Sequence, residues 1–169
     1  MTAGLRPSPR EVVSQVVAEV APEEAAIVHA FDDVGHDEAV RRLKRSRARR
    51  EPLGFGLGEV VALVTPVIWI VLDEVLNKSA ESAVTATGGW LKPRLVAVFR
   101  RLTGRDPAPR ADPVMPVMTA EQLRAVHDRI KELGAEAGLE AKQAEQVADG
   151  VVARLAIQAA SGERPELES

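Results

Sequence analysis

The side chains able to do acid–base or metal chemistry are few, and their spacing works against it. Three histidines stand at His29, His36 and His127. A zinc site on one helix needs two imidazoles a turn apart, as in His-Glu-x-x-His, and no pair here has that spacing. The densest acidic cluster is Asp32, Asp33, His36 and Asp37, which could converge loosely on a cation. A helix-to-helix connection closed by an Asp N-cap accounts for the same residues without a ligand. The chain has no cysteine, which excludes a thiolate zinc site, an iron–sulfur cluster, a disulfide framework and a cysteine nucleophile. No Gly-x-Ser-x-Gly elbow is present. Gly54, Gly56 and Gly58 alternate, yet they form neither a dinucleotide-binding Gly-x-Gly-x-x-Gly nor a phosphate loop ending in Gly-Lys-Ser/Thr. They read as a loose entry to the apolar run that follows, or as close helix packing. The expectation is a non-enzymatic protein with no cofactor and no bound metal.

Positive charge is the second chemical resource, and it is concentrated. Arg41, Arg42, Lys44, Arg45, Arg47, Arg49 and Arg50 place seven cations within ten residues, in a chain whose formal net charge is −3. Such a block could meet phosphates, of nucleic acid or of anionic lipid, or it could be a solvated helix face. Nucleic acid is disfavoured. The chain is net acidic, lacks a recognisable reading helix, and has an aromatic fraction of only 3% for stacking on bases. Anionic lipid is the expected non-protein partner. The alternative is the C-terminal region, which from Arg110 onward holds eleven Asp and Glu against seven Lys and Arg.

An apolar run lies directly after the basic block. Val60 to Leu72 is free of charge, and from Leu53 to Leu72 the stretch reaches twenty residues, about the length that crosses a bilayer. Phe55, Leu57, Val64, Ile68 and Trp69 are its candidate lipid contacts. The same run is compatible with a buried core helix, and its Val and Ile content also permits a buried strand. Past Gly88-Gly89, the segment Trp90–Leu102 sets Leu91, Leu95, Val98, Phe99 and Leu102 on one helical face. Lys92, Arg94, Arg100 and Arg101 cover the rest, as in a helix lying in a membrane interface or packing on a protein core. Trp90, Leu95 and Phe99 join the candidate membrane contacts, and the four cations join the candidate anion contacts.

The elements that must position these groups are helices. Ser8-Pro9-Arg10-Glu11 combines an N-cap, a proline at the first helical position and a capping-box Glu. Val12, Val16, Val17 and Val20 then recur at helical spacing. Pro22 restarts the chain, Glu23 and Glu24 sit in the first turn of a short helix burying Ile27, Val28 and Phe31, and a third helix starts near Asp37. Thr119-Ala120-Glu121-Gln122 is another capping box. It opens a stripe of Leu123, Val126, Ile130 and Leu133. Gly134 and Gly138 bracket a turn, and a second helix over Leu139–Ala160 with Val147, Val151, Val152 and Leu155 inward completes an αα-hairpin. Leu123, Val126, Ile130, Val147 and Val151 are the candidate partner-binding residues.

The composition divides the chain into an N-terminal helical segment over 1–50, a hydrophobic and amphipathic helical region over 51–105, a Pro-rich linker over 106–118 and the hairpin over 119–162. The expected fold is a small all-α protein: a hydrophobic central helix kinked near Pro66, a basic amphipathic helix and the C-terminal αα-hairpin. Met1–Arg10 lacks the charged and apolar regions of a secretory signal, which makes the cytoplasm, or the cytoplasmic face of a membrane, the expected location. Two functional expectations follow. One is a membrane-associated protein that inserts in or lies on a bilayer and recruits a protein partner through the hairpin. The other is a soluble helical adaptor or homo-oligomeric assembly subunit with the apolar helix buried.

Overall fold

The computed structural model describes residues 6–49, 62–86 and 112–162. Every regular element among them is helical: α1 (Pro9–Val20), a 3₁₀ turn (Pro22–Glu24), α2 (Ala25–His29), α3 (His36–Arg49), α4 (Val64–Ala86), α5 (Ala120–Ala137) and α6 (Ala141–Gly162). The chain is therefore all-α. The Gly-rich stretch 54–58 and the segment 90–102 lie outside the described residues.

Local chemistry sets several helix ends. Glu11 N–H donates to Ser8 Oγ at 3.3 Å, and Ser8 N–H donates to the Glu11 carboxylate at 2.8 Å. The reciprocal pair recurs at Thr119 and Gln122, at 3.2 and 2.8 Å. Each satisfies two backbone donors that would otherwise have no intrahelical partner. At the far end of α5, Gly138 adopts φ +94°. Its N–H reaches Ala135 O, and Leu139 N–H reaches Gly134 O, the hydrogen-bond pattern of a Schellman stop.

The described part of the apolar run from Val64 to Leu72 opens α4, a helix rather than a strand, and Asp73 and Glu74 interrupt its apolar face without ending it. A kink at Pro66 would require helix on both sides of the proline. The structure corrects that expectation: α4 begins at Val64, so Pro66 sits in the first turn, where its missing N–H breaks no intrahelical bond. The start of α4 is capped from a distance. Glu24, only 3% exposed, accepts from Leu63 N–H (2.8 Å), Val64 N–H (3.0 Å) and Thr65 N–H (2.7 Å). A carboxylate there also meets the positive end of the helix dipole.

One core joins all these elements. Val13, Val16 and Val17 of α1, Phe31, Leu43 of α3, Ile68, Trp69 and Leu72 of α4, and Ile130, Val147 and Val151 of the hairpin are all buried in it. Each such side chain contributes roughly 1.5–3 kcal/mol of burial free energy before conformational entropy opposes it. The Phe31 and Trp69 rings meet at 5.5 Å with a 60° tilt, an edge-to-face type of contact. α1 packs on α6 at Gly150, where a Cβ would stand in ordinary contact with the Val16 side chain, 3.4 Å away. Arg154 of α6 fastens the same pair of helices by donating to Gln15 and Glu19 of α1. The end of the Pro-rich stretch is packed as well, with Met115 buried and its N–H donating to Pro7 O at 3.0 Å.

Candidate functional site

The acidic cluster of the α2–α3 connection is dispersed by the fold. Asp32 faces Arg10 at 3.6 Å and His29 Nδ1 at 3.2 Å. His36 turns the other way, into the core, with 8% of its surface exposed. His127 lies across the hairpin from Asp149, at 3.2 Å. Among the described residues no three His, Cys, Asp or Glu side chains are grouped so that they could hold a metal ion.

What replaces that cluster is a polar chain between α3 and α4. Trp69 Nε1–H donates to His36 Nδ1 at 3.2 Å. His36 Nε2 lies 3.4 Å from Asp73 Oδ1, close enough for attraction but poorly aligned for a hydrogen bond. Asp73 Oδ2 accepts from Lys44 Nζ at 3.0 Å. The His36 contact first and the Lys44 ammonium second hold the Asp73 carboxyl below its usual range, against the opposing effect of burial. Arg10 works from the other side of Trp69. Its guanidinium lies 5.5 Å from the indole centroid and donates to Phe31 O, Val34 O and Asp112. Arg10, Glu24 and Asp73 carry no functional signal in the sequence, because each acquires its role from a partner distant along the chain.

The basic block is largely committed to carboxylates of this chain. Arg41 and Arg42 pair with Glu38 at 2.8 and 3.0 Å, Lys44 with Asp73, and Arg47 with Glu136 of α5 at 2.9 Å. The last pair ties the basic helix to the acidic hairpin. Arg45 is exposed and acts on Glu38 only at longer range. The backbone of Arg49 closes α3, while Arg50, Lys92, Arg94, Arg100 and Arg101 lie outside the described residues.

The candidate lipid contacts divide in the same way. Val64, Ile68 and Trp69 have no exposed surface and pack inside the bundle, whereas Phe55, Leu57, Trp90, Leu95 and Phe99 lie outside the described residues. Among the described residues no helix is long and apolar enough to cross a membrane.

The candidate partner contacts of the hairpin mostly face its own core. Val126, Ile130, Val147 and Val151 are buried, and Leu123 is half-buried against the same core. The face left open lies beside them. Val71 and Val75 of α4, Pro116, Val117 and Met118 of the incoming strap, and Ala125 and Val126 of α5 line a cavity of about 140 Å³. Its mouth holds Glu74, Lys78, Gln122 and Arg129. Arg129 bridges Glu74 through two nitrogens, at 3.0 and 3.2 Å, and reaches Glu132 at 2.7 Å. Val117 and Val114 stand at 51% and 53% exposure on the strap. The groove is thus apolar inside and framed by a paired, geometrically fixed ion cluster. It can seat an apolar side chain. Compared with protein-family models, curated proteins and solved structures, the chain matches none.

Proposed function

We propose that this chain is a helical interaction module, an adaptor or assembly subunit that uses its apolar central helix for its own core and meets a protein partner at the α4–α5 groove. The observation that carries the reading is the burial of the described part of the apolar run: from Val64 to Leu72 every residue is buried. A helix that supplies the centre of a bundle this way has a sufficient physical reason for its hydrophobicity. The paired state of the basic block supports the same reading, since Lys44 and Arg47 serve contacts between helices. The groove, with Val117 on its rim, is an apolar surface among the described residues that suits a partner.

Sedimentation of the purified chain without detergent, followed by flotation with phosphatidylcholine–phosphatidylglycerol vesicles, tests this reading. A discrete species that stays with the aqueous phase supports the module. Flotation that survives high salt would overturn it in favour of bilayer insertion. Flotation lost in high salt would instead assign the basic residues to lipid headgroups. Within the adaptor reading, Val117→Asp separates the two forms: a homo-oligomer loses its assembly, while a monomer keeps its sedimentation and directs the search to a different partner.

A further inference from the structure

His36 is a buried titratable group that the interaction reading does not use. It opens α3, and both of its ring nitrogens face α4. An indole nitrogen can only donate, so Nδ1 at 3.2 Å from Trp69 Nε1 must be the accepting, unprotonated nitrogen. Nε2 then carries the ring hydrogen and points toward Asp73. An imidazolium bears hydrogen on both nitrogens, so a second proton can enter only at Nδ1. There it would oppose the indole N–H, donor against donor, with Trp69 fully buried. A buried donor without an acceptor is the costly case for a hydrogen bond.

We propose that the His36–Trp69 contact is an acid-sensitive latch between α3 and α4, closed while His36 is neutral and opened by its protonation. The donor contact with Trp69 at Nδ1 sets the direction, against the attraction of Asp73 at Nε2. Asp73 on α4 attracts an imidazolium, but its second oxygen is already bound by Lys44 of α3. Arg10 of α1 adds positive charge on the Trp69 side, 5.5 Å from the ring, answered by Asp112 at 2.9 Å and Asp32 at 3.6 Å. Asp37, next along α3, is exposed to solvent. The second proton arrives on Nδ1, the nitrogen that faces Trp69, while Nε2–H stays 3.4 Å from Asp73. Opening relieves the donor-against-donor contact at Nδ1, so acidification favours opening.

Nitrogen-15 NMR on the whole chain from about pH 8 to pH 5, where imidazoles titrate, decides the matter. The probes are the His36 ring nitrogens and the Trp69 indole N–H, identified by Trp90→Phe. The expected result is an Nε2–H tautomer at the alkaline end. On acidification the Trp69 indole then loses about tenfold or more of its hydrogen-exchange protection, with the midpoint of His36 protonation. His36→Gln, whose amide oxygen accepts from Trp69 at every pH, keeps that protection throughout. An Nδ1–H tautomer at neutral pH would overturn the latch. So would a His36 that stays neutral to pH 5, or one that protonates with the indole unmoved. If His36→Gln does not fold, the titration of the native chain decides alone.

Discussion

Replacing Glu24 by Gln tests whether a single carboxylate organises the central helix. Glu24 Oε1 accepts from Leu63 and Val64, and Oε2 accepts from Thr65. Glutamine keeps the shape and one acceptor, but puts an amide NH₂ where Thr65 N–H needs an oxygen, at a residue with no exposed surface. The orphaned donor costs about 1–3 kcal/mol. Losing the negative charge at the helix N-terminus costs about another 0.3–2 kcal/mol. A total of about 1–5 kcal/mol, with a urea slope of about 2 kcal/mol per molar, lowers the unfolding midpoint by about 0.5–2.5 M. The assay is urea unfolding at neutral pH, followed by far-ultraviolet circular dichroism. Glu23→Gln is the control, because Glu23 is adjacent but exposed, and it should move the midpoint little. Equal midpoints for Glu24→Gln and wild type, or an equal fall in the Glu23 control, would refute the assignment of Glu24 as the cap of α4.

Four further outcomes follow from the geometry. Asp73→Asn should lower stability at neutral pH. The Asp73 carboxyl is held below its ordinary 3.8, so its contribution is present above that value and lost as pH falls through the folded-state one. The gap in unfolding midpoint between wild type and Asp73→Asn should therefore narrow from pH 5 to pH 3. Gly138→Ala should destabilise by about 1–2 kcal/mol, because φ is +94° there and a Cβ opposes that conformation. Gly150→Ala, inside α6 with only ordinary contacts awaiting its Cβ, should instead stabilise by about 0.5–1 kcal/mol; thermal melts of the two variants should move in opposite directions. Val117→Asp should leave the melting temperature within a degree or two of wild type, because Val117 is 51% exposed. A large fall would show that the strap is part of the core rather than a rim for a partner.

The interaction reading and the bilayer reading make different use of the same residues. Both accept an apolar run beside a basic block. In the structure, Val64, Ile68 and Trp69 meet other side chains of this protein, and Lys44 and Arg47 meet its carboxylates. Bilayer association would therefore fall to Phe55, Leu57, Trp90, Leu95 and Phe99, or require the bundle to open. The proposed latch at His36 is one point at which opening between α3 and α4 can be measured directly.

What the sequence determined by itself is the local geometry. Ser8 with Glu11, and Thr119 with Gln122, sit three residues apart, so each capping box follows from a single turn of backbone. Val12, Val16 and Val17, like Val126, Ile130 and Leu133, fall on one face by the 3.6-residue period, and that face is buried in both cases. Gly138 ends α5 because it readily takes a positive φ. The lack of cysteine is equally plain. The tertiary structure decided everything that joins distant segments. Glu23 and Glu24 are alike as neighbours in a first turn, and only packing against the start of α4 makes one a buried cap and leaves the other in solvent. His36 belongs by spacing with Asp32, Asp33 and Asp37, yet its helix turns it inward to Trp69 and Asp73. The apolar run reads the same for a lipid and for a protein interior, because periodicity and hydropathy record avoidance of water, not what replaces it. The facing residues of α1, α3 and α5, contributed from far along the chain, supply that replacement.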